Sequence, residues 1–275
     1  MRWLLDPGPL SAFVLVSALL YAVGLRRRLA TGRQRRQLVV RAGLFAAALV
    51  LVDLTLSPAF DRWADESLTM HMLQHVVLMT VLPPLVVLAA PWLTIWRAFP
   101  LDTRRSLARG VLRLPAVVRR GLRGLAAPVP AFGLIAADLG LWHVPWLYDL
   151  TLRNAVVHGV EHSSFLLLGT LFWLPIVASP PLHARLGRLH RAAYATAGAA
   201  TGWVLALVLA FAPTPLYPAY AALHHRLGGL SAIADQQLAA GVMLGIGSIP
   251  FTIAVFVFVY PYRSADVVKA VRGLA

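Results

Sequence analysis

The chain has 275 residues and no cysteine, which excludes disulfides, zinc fingers, CxxC redox pairs and thiolate copper relays. Any metal site must therefore use His, Met and carboxylate. Charge is scarce as well. Charged residues make up 13%, against about 25% in an ordinary soluble domain, while 59% are apolar and the mean hydropathy is +0.72. The composition is that of an all-α polytopic membrane protein, read as one domain over 1–275. Acidic residues are the scarcest charge, 11 against 25 basic, for a net charge of +14. In a soluble protein that balance would suggest nucleic acid. Here the basic residues fall between apolar runs, where they set topology, and no nucleic-acid partner is expected. Lysine is limited to Lys269, so no Schiff-base lysine is available for retinal in a last span.

What is abundant is long apolar runs. Seven are of spanning length: Leu10–Leu25, Leu38–Leu56, Leu68–Ala90, Ala127–Trp146, Ala155–Val177, Ala192–Pro213 and Ala232–Tyr260. The first follows Asp6, Pro7 and Pro9 and precedes an Arg cluster, the reverse of signal-peptide order, so it is expected to be a retained span. The last is long enough to kink, at Gly241, Gly245, Gly247 or Pro250. Odd-numbered loops are basic: Arg26 to Arg36 with Arg33 between, then Arg97 to Arg123, then Arg185, Arg188 and Arg191, then the tail with Arg263, Lys269 and Arg272. Even-numbered loops are acidic or nearly neutral. That alternation predicts an outside N-terminus and a cytoplasmic C-terminus. The loop 97–123 reads either as a plain retention signal or as an amphipathic helix on anionic headgroups.

With that topology, seven of the nine histidines fall on the outer side. His71 and His75 open span three, His143 ends span four, and His158 and His162 open span five. Each His-x-x-x-His pair puts two imidazoles on one helix face, about 6 Å apart along the axis. Five imidazoles from three consecutive spans can thus meet at one depth, with Met70 and Met72 flanking His71. Imidazole suits copper, zinc or iron, and thioether favours Cu(I). Gln74, Asp138 and Glu161 are expected to orient the rings from behind by accepting their N–H groups. Blander readings apply elsewhere: His183, His190, His224 and His225 as interfacial contacts, Met243 as packing, and Asp53 and Asp138 paired with Arg62, Arg153 or each other. Two other chemistries use the same residues. His158-Gly-Val-Glu161-His162 fits the short zinc pattern H-x-x-E-H, with Glu161 as the general base of a membrane hydrolase. Facing histidines can also hold haem.

An ordered set of motifs then carries a resemblance. His71-Met-Leu-Gln-His75 is followed by Pro83-Pro84 and Ala90-Pro91, and Trp142-His143-Val-Pro145-Trp-Leu-Tyr148-Asp149 comes next. His158-x-x-Glu161-His162 with Phe172-Trp173-x-Pro175 follows, and Asp235-Gln236-Gln237-Leu238-Ala239 closes the set. The series resembles the CtaG family of caa3-type cytochrome c oxidase assembly factors over about 38–260. The resemblance implies a multi-pass protein of the bacterial plasma membrane that assists assembly of a haem–copper oxidase, with oxidase subunits and the lipid bilayer as partners. With that role the main expectation is reversible binding and delivery of copper, as Cu(I), on the outer side; the alternatives are the zinc hydrolase and a metal-free or haem-binding assembly scaffold. The expected ligands are His71, His75, His158 and His162, with His143, Met70 or Met72 at the entrance. Tyr148 and Asp149 are expected on an external link where a partner domain could dock. Asp235 and Gln236 are expected either to close the bundle against spans three and five or to cap their own helix.

Overall fold

The computed structural model describes residues 7–29, 35–182 and 184–272, with side chains described for 10–29, 35–182 and 184–260. Arg33 and His183 lie outside the described residues, and Arg263, Lys269 and Arg272 outside the described side chains. The described residues are helical with no named strand. The order begins with α1 (Pro7–Leu29), α2 (Arg35–Thr55) and α3 (Pro58–Glu66). Next come α4 (Leu68–Val76), a π-helical turn at Val77–Val81, α5 (Leu82–Ala89) and α6 (Pro91–Ala98). Two surface helices, α7 (Leu101–Arg113) and α8 (Ala116–Leu125), lead into α9 (Pro128–Trp142), α10 (Pro145–Arg153) and α11 (Ala155–Trp173). The chain ends with α12 (Arg188–Phe211), α13 (Pro218–Ala221), α14 (Ala232–Leu244) and α15 (Ile249–Arg272).

Six stretches are long and apolar enough to cross a membrane: Leu10–Leu29, Arg35–Thr55, Leu68–Ala89, Ala155–Trp173, Arg188–Phe211 and Ala232–Tyr260. A seventh arises if α8 and α9, bent by 68° from each other, form one broken span. The expected fourth span, Ala127–Trp146, is therefore shortened. Pro145 has no N–H to continue the helix, and its ring would meet the carbonyl four residues back. The helix stops at Trp142 with His143 as its cap, and Pro145 starts α10 instead. At 15 residues α9 is about 22 Å long, short of a hydrocarbon core of about 30 Å. The expected kink in the last span is present as a 3-10 turn at Ile246–Ser248.

Span three is the axis of the bundle, with 61% of its apolar window buried against 28% or less for the others. Its π-helical turn has a local cause. Pro83 and Pro84 cannot donate to the carbonyls of Met79 and Thr80, so the α-helical ladder fails there. The turn widens instead: Leu82 N–H reaches back to Val77 O, and Thr80 Oγ1 donates to Val76 O at 2.8 Å. The freed Met79 carbonyl faces Gly169 on α11, where a Cβ would lie 2.7 Å from it and 2.8 Å from Pro83 Cγ. Gly169 thus lets α11 press against the widened turn.

The two ends of the bundle differ in chemistry. At one end Arg27 donates to the carbonyls of Arg97, Ala98 and Phe99, and Arg28 donates to Thr94 Oγ1. At the same end Tyr194 donates to Pro128 O, and Arg188 donates to Phe258 O. The first turns of α4, α11 and α14 lie at the other end, with α3, α10 and α13 packed over them.

Candidate functional site

Span three enters the bundle under a cap supplied by span seven. Asp235, at the head of α14, accepts from Ser67 Oγ, Leu68 N and both donors of Thr69, at 2.6–3.0 Å. A carboxylate at the first turn of α4 satisfies N–H groups that the helix leaves open and complements its dipole. Gln236 does a different job from the expected one. It donates to Leu209 O and accepts from Leu216 N, so it ties α14 to α12 and the loop beyond, with neither span three nor span five as partner. On α11, Asn154 caps the first turn by accepting from Val156 N and Val157 N.

Capped in this way, α4 and α11 present their histidines to each other. The rings of His71 and His75 are 4.4 Å apart, and those of His158 and His162 are 4.0 Å apart. Across the gap His71 faces His158 at 5.2 Å, and His75 faces His162 at 5.4 Å. One donor atom from each of these four, plus a Glu161 carboxylate oxygen, all lie within 4.8 Å of one another. Four of the five side chains are buried; His158 is partly exposed and forms the opening.

The surroundings set ring orientation. Tyr220 donates its only O–H to Ala64 O at 2.6 Å, so its oxygen can only accept from His71 Nδ1, 2.7 Å away. His71 therefore carries its proton on Nδ1 and turns a lone pair on Nε2 into the group. His143 is held likewise, with Nδ1 donating to Leu139 O at 2.8 Å. Phe165 lies 4.9 Å from the His75 ring, and Tyr148 lies 5.2 Å from that of His71. Across the same volume His71 Nε2, both His75 nitrogens, His158 Nε2, His162 Nε2 and both Glu161 oxygens are buried without a well-formed hydrogen bond. One of the two His75 nitrogens carries the ring proton, and the remaining atoms are electron-pair donors on apolar walls that can hold a cation.

Several expected roles change. Glu161 does not orient a ring: its Oε2 is 3.6 Å from His75 Nε2, too long for a hydrogen bond, and it stands among the donors themselves. Asp138 accepts from Trp142 Nε1 and Ser164 Oγ rather than from an imidazole, and Gln74 donates to Thr55 O and Asp61 Oδ1. Arg153 faces Asp149, while Asp53 is exposed. Tyr148 is fully buried, its ring tilted against that of Tyr217 at 4.1 Å, and Asp149 is 8% exposed, so neither offers a docking surface. His143, expected at the entrance, is buried and stands outside the group of five, its ring 6.3 Å from Tyr148. Met72 packs with Leu68, Val76 and Met243, and Met70 is half-buried beside it. Met243 is core, and His190, His224 and His225 are exposed.

Sequence reading missed Tyr220 and Tyr217. Tyr217 caps and Tyr220 lies on α13, in the segment between α12 and α14, and nothing in the local pattern links Tyr220 to His71, 149 residues earlier. The one signal was two tyrosines around Pro218 in a loop otherwise poor in aromatic residues.

No curated protein and no solved structure matches the chain. The family model for the cytochrome c oxidase caa3 assembly factor does match, over residues 19–264, and it takes in every element of the site just described. This protein belongs to the CtaG family of cytochrome c oxidase caa3 assembly factors.

Proposed function

We propose that the protein takes a copper ion as cargo between α4 and α11 and passes it to a subunit of the haem–copper oxidase during assembly. One observation carries this reading: seven polar atoms of His71, His75, His158, Glu161 and His162 are buried together without hydrogen-bond partners. Each such atom costs about 1–3 kcal/mol when left unpaired, and a bound cation would offset several at once. Imidazole-rich donors without thiolate suit copper, and Glu161 adds a compensating negative charge. Donors opposite one another across a single ion at about 2 Å would be about 4 Å apart. The donors here lie within 4.8 Å of one another, so small side-chain adjustments would bring them onto one ion. His158, partly exposed, is the first and last ligand in this scheme. The family match supports assembly over hydrolysis as the use of the H-x-x-E-H residues. In this reading the arginine-rich end is the cytoplasmic one, which the charge alternation supports, and the histidine end faces outward from the bacterial plasma membrane, with the N-terminus outside.

The test is copper analysis of protein purified without a histidine tag. Wild type should retain copper through a wash with a weak chelator, and His71→Ala/His75→Ala should lose it. Acidification should strip the wild type, because a protonated imidazole has no lone pair for the metal. If the double variant folds and retains as much copper as wild type, the assignment is wrong.

A further inference from the structure

The segment between α6 and α9 carries a surface that the histidine group does not use. Neither α7 nor α8 buries a single residue. Their apolar side chains are open, Leu112 at 65% and Val117 at 76% exposure. On α8, at about 100° per residue, Val117, Val118, Leu122 and Leu125 share one arc, and Arg119, Arg120 and Arg123 fill the other side. Residues 101–125 hold seven arginines and one acid, Asp102.

The backbone sets how this pair meets a membrane. The 68° bend between α8 and α9 turns α8 away from the spanning direction, to roughly 20° from the membrane plane if α9 follows the normal. Its level is also set, because α9 begins at Pro128, whose carbonyl accepts from Tyr194 at the base of α12. An apolar partner protein would account for the valines and leucines but not for a segregated row of arginines. A bilayer surface bearing phosphate accounts for both, with the apolar arc in the acyl boundary and the guanidinium groups at headgroup level.

We propose that α7 and α8 form a binding surface for anionic phospholipids, lying in the membrane plane at the arginine-rich end of the bundle. The inference is independent of the metal reading. Val117, Val118, Leu122 and Leu125 enter the acyl boundary, and Arg119, Arg120 and Arg123 meet phosphates.

The absence of cysteine makes the test direct. Val117→Cys and Arg120→Cys, each in the full chain, are labelled with an environment-sensitive fluorophore and reconstituted into nanodiscs with or without phosphatidylglycerol. With phosphatidylglycerol, the probe at 117 should emit from an apolar environment and be several-fold less accessible to a soluble quencher than the probe at 120. In phosphatidylcholine alone, or with Arg119 and Arg123 both changed to Glu, the difference should collapse. Equal accessibility at both positions in every lipid would overturn the proposal. So would shielding at 117 that ignores headgroup charge, or shielding found only in native membranes, which would assign the surface to a protein partner.

Discussion

Tyr220 determines which nitrogen of His71 faces the cluster, and it does so from α13, outside the spans. Burial pushes its phenol well above the usual value, so it stays neutral and keeps its O–H on Ala64 O. Its oxygen then holds His71 Nδ1–H, as an outer partner of a metal-binding histidine commonly does. Tyr220→Phe should lower copper affinity about 10–100-fold, read by competition with a Cu(I) chelator. The melting temperature of the metal-free protein should fall as well, because Ala64 O and His71 Nδ1–H each lose a buried partner. Restoration of affinity by no other change than the hydroxyl would mark Tyr220 as a positioning residue. At this scale the paired histidines were legible because i, i+4 spacing alone puts them on one face. Glu161 was legible as part of the site but not in its role, since whether a carboxylate sits behind a ring or beside it depends on side-chain packing. Asp138 and Gln74 were misassigned for the same reason: a nearer indole, hydroxyl or carbonyl took each of them.

Among elements, the histidine pairs stay opposed because α11 runs close along the axis helix, and Gly169 is where the approach is tightest. A Cβ there meets backbone and a proline ring, neither of which can swing aside. Gly169→Ala should therefore cost about 1–3 kcal/mol of stability and loosen copper retention, although the site lies two turns away on α11. Melting temperature and bound copper measured on one preparation check this. An unchanged copper content with a lowered melting temperature would show that the site does not depend on this register. The spans were largely legible from their apolar runs. The shortening of α9 was not: a proline after an apolar run either kinks a helix or ends it, and here neighbouring packing lets Pro145 start a second helix.

At the scale of the molecule, arginines gather at one end and histidines with most of the acids at the other. Exposed positions at each end make the orientation measurable in a chain without cysteine. A membrane-impermeant thiol reagent should label His225→Cys in intact cells and His190→Cys only after permeabilisation. The reverse pattern would invert the topology and place the histidine group on the cytoplasmic side. Six apolar helices, with the shorter α9 beside them, supply the membrane-embedded frame for either outcome.

The sequence by itself determined the helical membrane class, the approximate spans, the clustering of histidines at one end and the family. These follow from hydropathy, charge alternation and helical periodicity, which act over a few residues and need no knowledge of neighbours. Only the tertiary structure decided which groups stand side by side: Glu161 among the imidazoles, Tyr220 behind His71, and Asp235 over the start of span three. Burial of Tyr148 and the separation of His143 belong to the same class. Such pairings join residues more than a hundred positions apart or depend on which of two helix faces turns inward. Packing of whole helices settles them, and no local pattern encodes that choice.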